Sequence, residues 1–109
     1  MKDDRAYLLH ILECIRRIED DVKDGRNAYE SSHTIQDAVI RNLQVMAESA
    51  KRLSVELQAA HPAVNWRAIT GLRNVLVHDY FGVDLGIVWE IVAKDVPEFK
   101  TAVLRMLSK

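Results

Sequence analysis

The sequence predicts an all-α protein, an antiparallel helical bundle of four to five helices built as a single domain over residues 1–109. Three observations predict it. Apolar residues recur at three- and four-residue steps along most of the chain, which places them on helical stripes. No segment alternates with period two, and the one Asp-Gly pair, Asp24-Gly25, follows a helical stripe instead of joining two strand-like runs. With 49% hydrophobic residues and only 4 Gly and 2 Pro, the composition is that of a compact, regular chain and not of a disordered one. A chain of 109 residues builds one core, so any function sits on that domain or on an oligomer of it.

The first stripe is Tyr7, Leu8, Ile11, Leu12, Ile15, Ile18 and Val22, predicting a helix from about Asp4 to Asp24 that stops near Gly25. The second is Ile35, Val39, Leu43, Met46, Ala50, Leu53 and Leu57, with Ser32 or Thr34 as the cap and Pro62 as the stop signal. The third is short: Trp66, Ile69, Leu72 and Leu76, ending around Gly82, a residue suited to the left-handed turn after a helix. The fourth runs from Leu85 through Val88, Trp89, Val92, Val96, Phe99 and Val103 to Met106. It keeps its phase across Pro97, so a kinked helix or two helices in line are expected, with Asp84 as the cap.

Several function classes are excluded or weakened at once. The 15 Lys and Arg against 16 Asp and Glu give a formal charge of -1, so there is no global positive field to collect phosphate backbones. The single Cys14 rules out an internal disulfide framework and fits a reducing cytoplasm. The charged start, Met1-Lys2-Asp3-Asp4-Arg5, reads as a mature cytosolic N-terminus without a signal peptide, and no apolar run approaches the roughly 20 residues that span a bilayer. There is no glycine-rich phosphate loop and no Gly-x-Ser-x-Gly elbow, so no nucleotide cofactor and no hydrolase triad is expected.

His10 and Cys14 lie four apart and could offer two ligands to a soft metal, but His33 and His61 have no partner at ligand spacing; no metal site is expected, and Cys14 reads as a small, semi-buried apolar residue. Trp66 and Trp89 are in phase with their stripes and read as packing residues, not as base-stacking platforms. The acidic group Glu19-Asp20-Asp21 has Arg16, Arg17 and Lys23 beside it and reads as a solvated helix face.

The segment Leu72-Arg73-Asn74-Val75-Leu76-Val77-His78-Asp79-Tyr80 differs in kind. Arg73, Asn74, His78 and Tyr80 are chemically capable residues in an otherwise strongly apolar run, and residues 61–83 are the one block of the chain with a positive balance. At about 100° per residue, Arg73 and Tyr80 share the edge of the core-facing stripe while Asn74 and His78 share another face. Arg73 and His78 are then about 140° apart, so one ideal helix does not aim both at one phosphate. Either the helix unwinds before His78, or a two-fold dimer lines one cleft with residues of both chains; Val75 and Val77, outside the central stripe, supply apolar surface for such a partner. The competing structural reading makes Arg73 an ion-pair partner, His78 a helix-end cap and Tyr80 a half-buried aromatic. The functional reading makes His78 a proton-transfer group near neutrality and Arg73 the stabiliser of a phosphorane-like transition state, cleaving RNA without metal through attack of the ribose 2′-OH.

Arg73-Asn74-x-x-x-His78-x-Tyr80 resembles the Arg-x4-His-x-Tyr signature of the HEPN superfamily, and more closely its HepT-like branch, the toxin half of HepT/MntA toxin-antitoxin modules. The context is similar too: His61-Pro62, Trp66-Arg67-x-Ile69 and Gly71-Leu72 before the signature, Asp79-Tyr80-Phe81-Gly82 after it, Trp89 with Asp95-Val96-Pro97 beyond, and Asp37-Ala38-Val39-x-Arg41-Asn42-Leu43 upstream. The likeness covers roughly residues 35 to 107. One departure is Ala47-Glu48-Ser49-Ala50 where the family usually shows Gly-Glu-Ala; Glu48 is retained.

The resemblance implies a HEPN-like bundle acting as a homodimeric, metal-independent endoribonuclease toxin in a cytoplasm, with its cleft at the subunit interface and tRNA or mRNA as substrate. Arg73 and His78 would be the catalytic pair and Asn74 would support the cleft. Tyr80 would be the residue to which a cognate MntA-like nucleotidyltransferase antitoxin adds AMP, within a larger hetero-complex. A bulky anion there would block and repel RNA. The alternative, from another class, is a non-catalytic module that binds a nucleotide or a partner for a minimal nucleotidyltransferase.

Overall fold

The computed structural model describes residues 3–77 and 84–108, with Arg73 and Val77 described by their backbone alone. Among the described residues all regular structure is helical. The four predicted stripes are all present, and two of them divide into shorter helices for local reasons that can be named.

Helix α1 spans Asp4–Asp21, capped by Asp3, whose side chain accepts from the Ala6 N–H at 3.1 Å. It ends earlier than the stripe predicts. Gly25 follows with φ 94°, a left-handed conformation that costs glycine little, and redirects the chain into α2 (Arg26–Ser31), which the apolar periodicity did not announce. Helix α3, His33–Lys51, is capped by Ser32, whose hydroxyl accepts from the Ile35 N–H at 3.2 Å.

The stripe predicts that this helix continues to Leu57, but it stops at Lys51 and restarts as α4, Val55–Ala60. Asp4 accounts for the break. Its carboxylate accepts from the Ser54 N–H at 2.8 Å and from the Ser54 hydroxyl at 2.6 Å, so that N–H is turned away from a helical carbonyl. The same hydroxyl accepts from the Leu57 N–H at 3.1 Å and starts α4. Leu53, in the break, remains in the core at 3% exposure, which is why the apolar phase survived it.

The third stripe divides into α5 (Trp66–Thr70) and α6, described over Leu72–Val77. Gly71 lies between them, and its N–H donates to the Arg67 carbonyl at 3.0 Å. A Cβ at this position would stand 2.8 Å from that same carbonyl oxygen, so the junction requires a residue without one. The stop expected around Gly82 lies outside the described residues.

The fourth stripe is continuous from Leu85 to Leu107, as α7 (Leu85–Glu90), a π-helical stretch (Ile91–Asp95) and α8 (Val96–Leu107). Pro97 sits in the first turn of α8, and the widened turn immediately before it accommodates the hydrogen bond a proline cannot donate. Asp84 caps α7 as expected, accepting from the N–H groups of Gly86 at 2.9 Å and Ile87 at 3.1 Å.

Helix α3 is the centre of the arrangement: α1, α2, α5 and α6 all pack on it, while α8 lies against α1. Asp4 meets Ser54 and His10 meets Ser49, so α1 and α3 run antiparallel. Their apolar faces, including Ile11, Ile15, Ile18, Val39, Leu43 and Met46, are fully buried. Tyr29 of α2 is also fully buried; its hydroxyl donates to the Leu85 carbonyl at 2.8 Å and its ring lies 5.2 Å from that of Trp89. Trp66 packs edge-on to Phe99 with ring centres 5.9 Å apart, and its indole N–H donates to the His61 carbonyl at 3.0 Å. Both tryptophans thus serve packing, as their phase predicts. Cys14 is fully in the core, and burial pushes its thiol pKa up.

Replacing Gly71 tests the junction. We expect Gly71→Ala to lower stability by about 1–3 kcal/mol, the range for forced overpacking, seen as a reduced midpoint in urea unfolding followed by circular dichroism. An unchanged midpoint would show that the Arg67 carbonyl does not constrain the site.

Candidate functional site

The signature residues begin on α6, which is docked on α3. Leu72 and Leu76 provide that docking, at 5% and 2% exposure. Their burial fixes the rotation of the helix. Asn74, two positions after Leu72, is exposed, and Val75 is 47% exposed, so the side of α6 that the sequence left outside the core is open in this chain.

Arg73 belongs to the α6 backbone, between buried Leu72 and exposed Asn74. The Asn74 N–H donates to the Gly71 carbonyl at 3.0 Å, so the glycine junction also sets the first turn of α6. Arg73 and Asn74 are therefore brought together on one helix. His78 and Tyr80 lie outside the described residues.

The elements on both sides of 78–83 are tied to the core. Before the segment, α6 is held on α3 by its leucines. After it, Asp84 caps α7, and the Tyr29 hydroxyl grips the Leu85 carbonyl from a distance of 56 residues in sequence.

A second region was not singled out by sequence reasoning as a unit. Tyr7 and His10 of α1 face Arg41, Gln44, Val45, Glu48 and Ser49 of α3, with Arg52 just beyond the helix, across a groove of about 600 Å³. Ser49 is buried at 5% exposure, and its hydroxyl lies 3.0 Å from His10 Nδ1. His10 therefore has a hydrogen-bonding partner on α3 instead of forming a pair with buried Cys14. Among the described residues no group of three or more His, Cys, Asp or Glu side chains is placed to hold a metal ion. The available signal was a second stripe on α3, Arg41, Val45, Glu48 and Arg52, at steps of 4, 3 and 4, beside the apolar one.

Several other charged residues are paired. Glu13 accepts from both Arg16, at 2.8 Å, and Arg17, at 3.0 Å, and these two guanidiniums hold its pKa at about 2. Asp20 pairs with Lys23, Arg26 with Glu30, and Lys100 with Glu19. The acidic end of α1 is accordingly the solvated, paired face that its neighbouring basic residues predict.

Comparison with known proteins adds the family. The model of ribonuclease HepT-like proteins matches residues 11–106. A Methanocaldococcus jannaschii protein named gamma-glutamylcyclotransferase and, provisionally, RNase is 38% identical over 109 residues, covering 99% of this chain and 49% of its own length. A Caldanaerobacter subterraneus subsp. tengcongensis protein provisionally named RNase is 38% identical over 118 residues, covering 100% of this chain and 98% of its own. The Shewanella oneidensis mRNA nuclease HepT is 30% identical over 114 residues, with 83% and 85% covered. The chain spans about half the length of the first of these relatives and nearly all of the second. No solved structure matches at a significant level.

Proposed function

The chain belongs to the ribonuclease HepT-like family, and from that premise we propose that it is a metal-independent endoribonuclease toxin acting as a homodimer, its residues 1–109 forming one HepT-like domain. The observation that carries this reading is the series Arg73-Asn74-x-x-x-His78-x-Tyr80, beginning on the docked helix α6 of a chain whose relatives are named RNases. The substrate is RNA, either tRNA or mRNA, in a cytoplasmic setting; no helix among the described residues is long and apolar enough to cross a membrane.

The chemistry follows from the residue types. The ribose 2′-oxygen attacks its own 3′-phosphorus and loses its proton to a base, while the bond from phosphorus to the 5′-oxygen breaks and that oxygen takes up a proton. The products are a 2′,3′-cyclic phosphate and a 5′-hydroxyl. An imidazole changes protonation near neutral pH and suits either proton transfer, which is the role of His78. Negative charge grows on the phosphoryl oxygens as five bonds form around phosphorus. A guanidinium is permanently charged and presents paired N–H donors, which suits Arg73 to hold that charge. Asn74, exposed beside Arg73, supports the cleft.

In a two-fold dimer the open side of α6 faces its symmetry mate, so that the cleft contains both copies of each group and the angular gap between Arg73 and His78 is bridged across subunits. A cognate MntA-like nucleotidyltransferase is the antitoxin in this reading. AMP added to the Tyr80 hydroxyl puts a bulky anion beside the cleft, where it blocks and repels the phosphates of RNA.

Purified His78→Ala and Arg73→Ala should fold like the parent yet cleave labelled tRNA and total RNA at least about 100-fold more slowly, the usual scale for loss of a general acid or base or an oxyanion donor. Parental cleavage by both variants would remove the catalytic assignment, and absence of fragments from the parent protein would favour a binding module. Cleavage should also persist in EDTA. Activity that disappears in the chelator and returns with added divalent cation would eliminate the metal-independent mechanism.

A further inference from the structure

We propose that the groove between α1 and α3 is a site for the RNA sugar-phosphate backbone, in which Arg41 and Arg52 hold separate phosphates of one strand and His10 contacts the strand from the facing wall. This rests on the ribonuclease reading above and assigns it a substrate-holding surface built from residues outside the signature. The groove has a volume of about 600 Å³, and Arg41, Arg52 and His10 are all exposed along it.

The groove brings together two of the arginines that carry no carboxylate partner among the described residues, a condition shared by Arg5, Arg67 and Arg105 elsewhere on the surface. Arg16, Arg17 and Arg26 are each committed to a carboxylate, whereas among the described residues no carboxylate pairs with Arg41 or Arg52. Glu48 lies on the same wall and is held in an interaction of its own. One carboxylate against two guanidiniums leaves this surface cationic, although residues 31–60 as a whole carry no net charge. The excess is produced by the fold, which collects the stripe Arg41, Val45, Glu48 and Arg52 along one wall.

The spacing points to a polymer. Eleven residues separate the two arginines, about 16 Å along a helical rise, which is too far for both to bind one phosphate and suits an extended anion. His10 is oriented by Ser49 at 3.0 Å. In the tautomer where Ser49 donates to Nδ1, the other ring nitrogen carries the proton and can donate to a phosphate oxygen. Contacts of this kind position a strand without reading its sequence.

The test uses the full chain and a fluorescein-labelled single-stranded RNA. Binding is measured by anisotropy against KCl concentration in a His78→Ala background, and cleavage kinetics are measured in the parent background. Arg41→Ala and Arg52→Ala should each weaken binding about fivefold or more and raise KM in proportion, with kcat within about twofold of the parent. The double variant should lower the slope of log K against log salt by about 1.4, at about 0.7 per phosphate contact on a single strand. Parental cleavage with unchanged KM and salt slope in the double variant would overturn the groove alone. A changed association state of the double variant in analytical ultracentrifugation would also overturn it, by making the groove a contact between copies. A parent protein that neither binds nor cleaves RNA would overturn the ribonuclease reading and the groove with it.

Discussion

The apolar face that α3 shares with its neighbours is the constraint on which the rest of the chain depends. Helices of five or six residues do not persist in water on their own, because nucleating a turn fixes several dihedrals for the first hydrogen bond. Yet α2, α4 and α5 are all of this length. Packing and capping stabilise them: Tyr29 seats α2, the Ser54 hydroxyl caps α4, and Ile69 and Leu72 bury the α5–α6 junction, a contact that Leu76 continues. Long α1 provides the second side of the core, and the Asp4–Ser54 latch closes its start onto the end of α3. Loss of α3 packing would therefore release α6 together with the core.

Particular residues show why much of this was legible in the sequence and why some was not. Ser32 and Asp84 act as caps where the sequence placed them, and the stripes on α1, α3 and α8 mark buried faces, because periodicity and capping are local properties. The break between α3 and α4 was not legible, since it depends on Asp4, fifty residues away, taking the Ser54 N–H. The short helix α2 was hidden for a related reason: its one buried residue, Tyr29, cannot establish a period. At Pro97 the sequence left two possibilities open, and the π-helical stretch resolves them into one continuous helical path.

The candidate site divides the same way. The signature could be read because its residues are adjacent in sequence and unusual in an apolar run. The groove could not, because its walls come from two helices and its character depends on which arginines the fold leaves unpaired. Glu13 neutralises Arg16 and Arg17 within one helix, while Arg41 and Arg52 meet no such partner among the described residues. An overall charge of -1 is thus compatible with an RNA-binding surface, provided that the acidic excess is paired and segregated.

The central claim is that this chain cleaves RNA through the substrate's own 2′-hydroxyl, with protein side chains supplying proton transfer and charge stabilisation. The most direct measurement maps the cleavage position on a defined RNA and then repeats the digestion with a single 2′-deoxy substitution on the nucleotide 5′ to that bond. The substituted bond should survive, and the unmodified RNA should end in a 2′,3′-cyclic phosphate. Cleavage of the substituted bond at the parental rate would contradict it.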